Sequence, residues 1–161
     1  TLARDGAKLA YVAFDPTSFA NELRVANADG TNPVALLPAH TFEAVDAPLF
    51  SPDGSTLLFS AVGEGPPPAL SWLDQLLGVR VASAAPLAHN VPSDWWSIPA
   101  TGGTPQRLTR LYETGLFGSF APDGDYFAFL SLTGLYVMRP DGSGITSLLN
   151  LEAFGTMEWI R

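Results

Sequence analysis

The sequence predicts an all-β chain built as an array of four-stranded units, and two families of glycine turns with short apolar strands between them carry that prediction. In the first family Arg4-Asp5-Gly6, Pro52-Asp53-Gly54 and Pro122-Asp123-Gly124 each precede an apolar strand. Leu9, Ala10 and Tyr11 align without a gap with Leu57, Leu58 and Phe59 and with Phe127, Ala128 and Phe129. In the second family Ala28-Asp29-Gly30, Ala100-Thr101-Gly102 and Pro140-Asp141-Gly142 each lie six residues ahead of a leucine, at Leu36, Leu108 and Leu148.

With the strands of one unit lettered a to d, the first turn family joins a to b and the second joins c to d. Strand a ends in an aromatic at Phe50 and Phe120, and Trp159 takes the same register in Met157-Glu158-Trp159-Ile160. Strand b is expected over Lys8 to Phe14, Thr56 to Val62 and Tyr126 to Ser131. Strand c follows over Leu23 to Asn27, Trp95 to Pro99 and Leu135 to Arg139, and strand d over Val34 to Leu37, Gln106 to Thr109 and Ile145 to Leu149. Asp-Gly pairs suit the tight turns of antiparallel hairpins because both residues tolerate dihedrals that others resist. The repeats divide as 1–44, 45–114 and 115–154, with an extra strand in 155–161, all within a single domain, 1–161.

The motifs Phe50-Ser51-Pro52-Asp53-Gly54 and Phe120-Ala121-Pro122-Asp123-Gly124, with Leu135-Tyr136-Val137-Met138 running into Asp141-Gly142, resemble TolB-type β-propeller repeats over almost the whole chain. Arg4 departs from the proline usual in that motif. The resemblance implies three blades of a propeller, and three cannot close a ring that takes roughly four to eight. The remaining blades then belong either to the same polypeptide or to a second copy. In the second case each chain of a homodimer would lend its Met157 to Ile160 strand to the other, giving a six-bladed ring. The abrupt start at Thr1, inside a repeat, favours a fragment of a longer chain.

Composition excludes several classes of function. The net charge is −8, Lys8 is the single lysine and the arginines are scattered, which argues against nucleic acid as a partner and against a basic membrane-binding face. No apolar run is long enough to cross a bilayer, so direct membrane insertion is not expected. The absence of cysteine removes disulfides and thiolate metal sites but selects no compartment. Neither a Gly-x-Ser-x-Gly nucleophile elbow nor a phosphate-cradling glycine loop occurs, so no catalytic residue and no cofactor is expected.

The departures from the repeat carry the functional expectation. Gly102 lies forty-eight positions after Gly54, against eighteen from Gly124 to Gly142, which places an insertion at 63–93 between strands b and c of the second unit. Within it, over Ala69 to Leu77, Leu70, Leu73, Leu76 and Leu77 share one helical face and predict a short amphipathic helix, whose leucines either pack on the propeller rim or, together with Trp72, dock a partner. The b-to-c and d-to-a loops share one face of the blades, where the d-to-a loops add His40, Glu43, Asp46, Tyr112, Glu113 and Glu152. These acidic side chains near a channel mouth would attract a cation or a basic peptide. His40, Glu43 and Asp46 make a weak metal pattern, and no metal site is assigned to them.

The function expected is a non-enzymatic protein-interaction or ligand-binding module, working through that loop face. The resemblance implies a bacterial periplasmic or extracellular scaffold of the cell envelope. Similar repeats also gate the catalytic domain of prolyl oligopeptidase-type serine peptidases, so the alternative is the propeller portion of such an enzyme, its catalytic domain lying outside this chain.

Overall fold

A computed structural model describes residues 1–63, 91–152 and 155–160 of the chain. Among the described residues eleven strands form three antiparallel sheets in chain order, and there is no helix. The first sheet is β1 (Lys8–Asp15), β2 (Ala20–Asn27) and β3 (Val34–Ala35). The second is β4 (Ala44–Phe50), β5 (Thr56–Val62), β6 (Asp94–Pro99) and β7 (Gln106–Arg107). The third is β8 (Phe117–Phe120), β9 (Phe127–Ser131), β10 (Gly134–Met138) and β11 (Thr146–Leu149). Each four-stranded sheet keeps the order of its sequence, as a meander of hairpins must.

The turns behave as their residues dictate. Gly6, Gly54 and Gly124 adopt φ of 72°, 72° and 85°, left-handed values open to glycine at no steric cost. The aspartate of each turn accepts the backbone N–H two residues on, from Ala7, Ser55 and Asp125. In the other family Asp29 and Asp141 accept from Thr31 and Ser143 in the same way. These carboxylates are spent on local turn geometry.

Packing between sheets follows strand alternation. From β5, Leu57, Phe59 and Ala61 enter the core shared with the first sheet, and Leu58 enters the core shared with the third. On β6 the neighbours Trp95 and Trp96 divide in the same way, Trp96 with Phe42 and Phe59, Trp95 with Phe127 and Phe129. Both indoles are buried, and neither Nε1 has a hydrogen-bond partner among the described residues. Gly118 on β8 is required by packing, because a Cβ there would lie 2.1 Å from Cζ of Phe127.

Two expectations change. Met157 to Ile160 form no strand, although Trp159 donates its Nε1 proton to the Ser119 carbonyl at 3.1 Å. A β-prone sequence becomes a strand only when a neighbouring ladder satisfies its backbone, and none is present there. At the other end Thr1 to Ala3 bond back to Lys8 and Ala10, with a Leu2–Leu9 bridge in the register of Phe50–Leu57 and Phe120–Phe127. The first sheet thus holds the last residues of a strand a rather than starting at strand b. The helix predicted from Ala69 to Leu77 lies outside the described residues.

Candidate functional site

The face formed by the b-to-c and d-to-a connections is built on buried anchors. In the first d-to-a loop Leu36, Leu37 and Phe42 are buried while His40 stands exposed at φ 61°. Thr41 donates its N–H and its hydroxyl to the Pro38 carbonyl, closing the turn beneath His40. Glu43 is exposed, and its N–H donates to the Val62 carbonyl at the end of β5.

The second d-to-a loop rests on a buried polar knot. Asp94, 2% exposed, accepts Arg107 Nη2 at 2.6 Å, the Thr109 hydroxyl at 2.8 Å and the Leu111 N–H at 2.6 Å. Arg107 also donates Nε to the Thr109 carbonyl, and its guanidinium lies 5.7 Å from the Trp96 ring and 5.0 Å from the Tyr112 ring. Desolvation, the largest influence on the Arg107 pKa, lowers it, but hydrogen bonding and attraction to Asp94 and Tyr112 together leave it raised. Tyr112 is therefore exposed at its outer edge yet fixed from below, with φ 52°.

His40 and Tyr112 occupy equivalent positions, four residues after Leu36 and Leu108, and Glu152 stands at the same place after Leu148. The first two share a left-handed backbone that is uncommon outside glycine. All three are exposed.

Other expected site residues fall elsewhere. Glu113 joins the second and third sheets, through paired backbone bonds to Ser93 and a Thr133 hydroxyl bond at 2.7 Å to Oε1. Asp46 is half-buried on β4, beside a groove of about 160 Å³ that also meets Leu49, Phe117, Gly118 and Thr156. Among the described residues no three or more histidine, aspartate or glutamate side chains are grouped to hold a metal ion, and no helix is long and apolar enough to cross a membrane. Leu70, Trp72, Leu73, Leu76 and Leu77 lie outside the described residues. Asp94 escaped the sequence reading, although a carboxylate directly before two tryptophans at the head of a strand is a readable sign of a buried polar partner.

Solved structures share this arrangement of sheets. A putative TolB from Agrobacterium tumefaciens superposes with a TM-score of 0.67 at 16% identity, over 98% of this chain and 52% of that one. TolB from Acinetobacter baumannii gives 0.66 at 19% identity, over 97% of this chain and 33% of that one. The chain has a TolB-like β-propeller fold. It spans about half the length of the first of these propellers and a third of the second. A prolyl endopeptidase matches as well, with a TM-score of 0.58 at 14% identity over 93% of this chain and 21% of its own. No family model and no curated protein matches the chain. Within this propeller fold the three sheets are blades.

Proposed function

We propose that the chain is part of a non-enzymatic, extracytoplasmic propeller that holds a partner protein or a ligand at its d-to-a loop face. One observation carries the reading: His40, Tyr112 and Glu152 occupy a single repeat position, exposed in all three blades and left-handed in the first two. A scaffold that repeats a left-handed backbone in two blades while the side chain it presents changes is suited to recognition, and strained backbone of this kind gathers at binding sites. The extracytoplasmic compartment rests on the resemblance to TolB alone.

The same reading takes the remaining blades from the same polypeptide. Leu2 already bridges Leu9 on the edge of β1, at the position that Trp159 would need if a second copy lent its strand.

A photo-crosslinking residue placed at His40, Tyr112 or Glu152 of the full polypeptide in its native cell tests the proposal. One crosslinked species common to all three positions is expected, and the absence of any adduct from them would overturn the reading.

A further inference from the structure

Five Asp-Gly pairs stand in the turns of the repeat, at Asp5, Asp29, Asp53, Asp123 and Asp141. In each the glycine N–H donates to the carbonyl three residues back, from Gly6 to Ala3, Gly30 to Asn27, Gly54 to Ser51, Gly124 to Ala121 and Gly142 to Arg139. Each aspartate accepts the N–H two residues on. The turns therefore share one geometry and differ in what else restrains them.

Two restraints divide them. Hydroxyls hold Asp29 and Asp53: the first accepts from Thr31, the second from Ser51 and Ser55. Such bonds favour the ionised carboxylate, and with the Ser51 hydroxyl as the largest influence Asp53 is held down to about 2. Packing holds the other two glycines, in turns that border a cleft of about 490 Å³ beside Phe120. A Cβ on Gly124 would lie 3.4 Å from the Pro52 ring, and one on Gly142 would lie 2.7 Å from the Leu108 carbonyl oxygen.

Asp5-Gly6 has neither restraint. Among the described residues Asp5 accepts only the Ala7 N–H, both members of the pair are exposed, and a Cβ on Gly6 would meet no heavy atom within 4 Å. The sequence supplies the cause: Ala3 and Ala7 stand where the second blade has Ser51 and Ser55.

We propose that Asp5-Gly6 is a site of spontaneous isomerisation to β-linked isoaspartate, and the first of the five turns to convert. The Gly6 nitrogen attacks the Asp5 side-chain carboxyl carbon. A C–N bond forms, the carboxyl oxygen departs as water with the amide hydrogen, and a cyclic succinimide results. Water then adds at the Asp5 main-chain carbonyl carbon and breaks its bond to nitrogen, so the chain runs on through the side-chain carbonyl. One water is lost and one regained, with no oxidation or reduction. Glycine permits the approach because it carries no Cβ and changes backbone conformation at little steric cost. The reaction needs a carboxylate free to turn towards the next nitrogen and a glycine free to leave its turn, and each of the other four pairs lacks one of these.

The product adds an atom to the main chain inside the turn that joins strand a of the first blade to β1. Thr1 to Ala3 are held there by the Ala3–Lys8 and Ala10–Thr1 backbone bonds, both 2.8 Å, and by the Leu2–Leu9 bridge. A longer turn breaks that register and bares the edge of β1, and an unpaired edge is a template for pairing with another chain. Arg4, which donates Nη1 to the Pro122 carbonyl at 3.1 Å, is displaced with the turn. This site is independent of the loop-face reading.

The test is peptide mapping of the full polypeptide aged at neutral pH in heavy-oxygen water, beside the same chain aged in denaturant. Electron-based fragmentation distinguishes the two linkages, and each succinimide that opens takes up one heavy oxygen. The denatured chain is expected to convert at all five pairs, and the folded protein first at Asp5 and several-fold more slowly at Asp53. Ala7→Ser, which copies Ser55 at an exposed position, should slow Asp5, and Ser51→Ala should speed Asp53. The isomerised fraction should lose hydrogen-exchange protection at the Ala3 and Ala10 amides and keep it at Ser51 and Ala121, whose turns are intact. Conversion first at another pair, no conversion at Asp5 while the denatured chain converts, an unaltered rate in either variant, or retained protection at Ala3 and Ala10 would each overturn the proposal.

Discussion

Asp94 and Arg107 form an ion pair at 2.6 Å with side chains only 2% and 11% exposed, and the pair ties the first residue of β6 to the last of β7. Removing one member of a buried pair strands the other charge, and Asp94→Ala also strands the Thr109 hydroxyl and the Leu111 N–H. We expect that variant to lose about 3–5 kcal/mol, measured by urea unfolding. Its Tyr112 ring should gain mobility in the same experiment series.

Gly118→Ala tests the packing of the third blade. The added methyl meets the Phe127 ring at 2.1–2.9 Å, and Phe127 is fully buried against Trp95 and Phe120 with no space to retreat. Overpacking of this kind costs about 1–3 kcal/mol, and Phe127→Leu in the same chain should restore part of it. A double-mutant cycle by thermal unfolding measures the coupling.

Acid sensitivity should trace to the Asp-Gly turns. Asp53 titrates at about 2 in the folded protein against an ordinary value of 3.8, chiefly because the Ser51 hydroxyl bonds its charged form. A depressed carboxylate contributes its stability in full above the ordinary value and loses it as pH falls through 3.8 towards 2. The melting temperature of the wild type should therefore fall across that window more steeply than that of Asp53→Asn. Ser51→Ala should move the Asp53 midpoint upward in a carboxyl-carbon NMR titration.

Relief of backbone strain separates stability from recognition. His40 holds φ 61° while exposed, so His40→Gly should stabilise the fold by up to about 1 kcal/mol in chemical denaturation. The same variant should weaken crosslinking or partner capture at the loop face. An unchanged loop-face interaction would show that the side chain at this position does not contribute to it.

The repeat frame was legible because it is local. Turn residues, strand alternation and the opposed paths of Trp95 and Trp96 follow from spacing alone, and β5 matches its expected Thr56 to Val62 span. Asp94 was not legible, since its partners Arg107, Thr109 and Leu111 arrive only once β6 and β7 have paired. The cleft beside Phe120 was hidden for a related reason: it is a space between blades, set by how closely Pro52 meets Gly124 and Leu108 meets Gly142. Met157 to Ile160 failed as a strand because repeat register supplies no hydrogen-bonding neighbour.

Trp95 and Trp96 are adjacent in sequence yet sit in different cores, so a single peptide unit joins the two interfaces of the middle blade. In a linear array, where each unit is stabilised by its nearest neighbours, such a residue pair acts as a mechanical coupling. A shift of β6 by one register would exchange the contents of both interfaces at once, and melting of the middle blade would uncover both flanking blades in the same event. The three blades should therefore unfold as one cooperative unit.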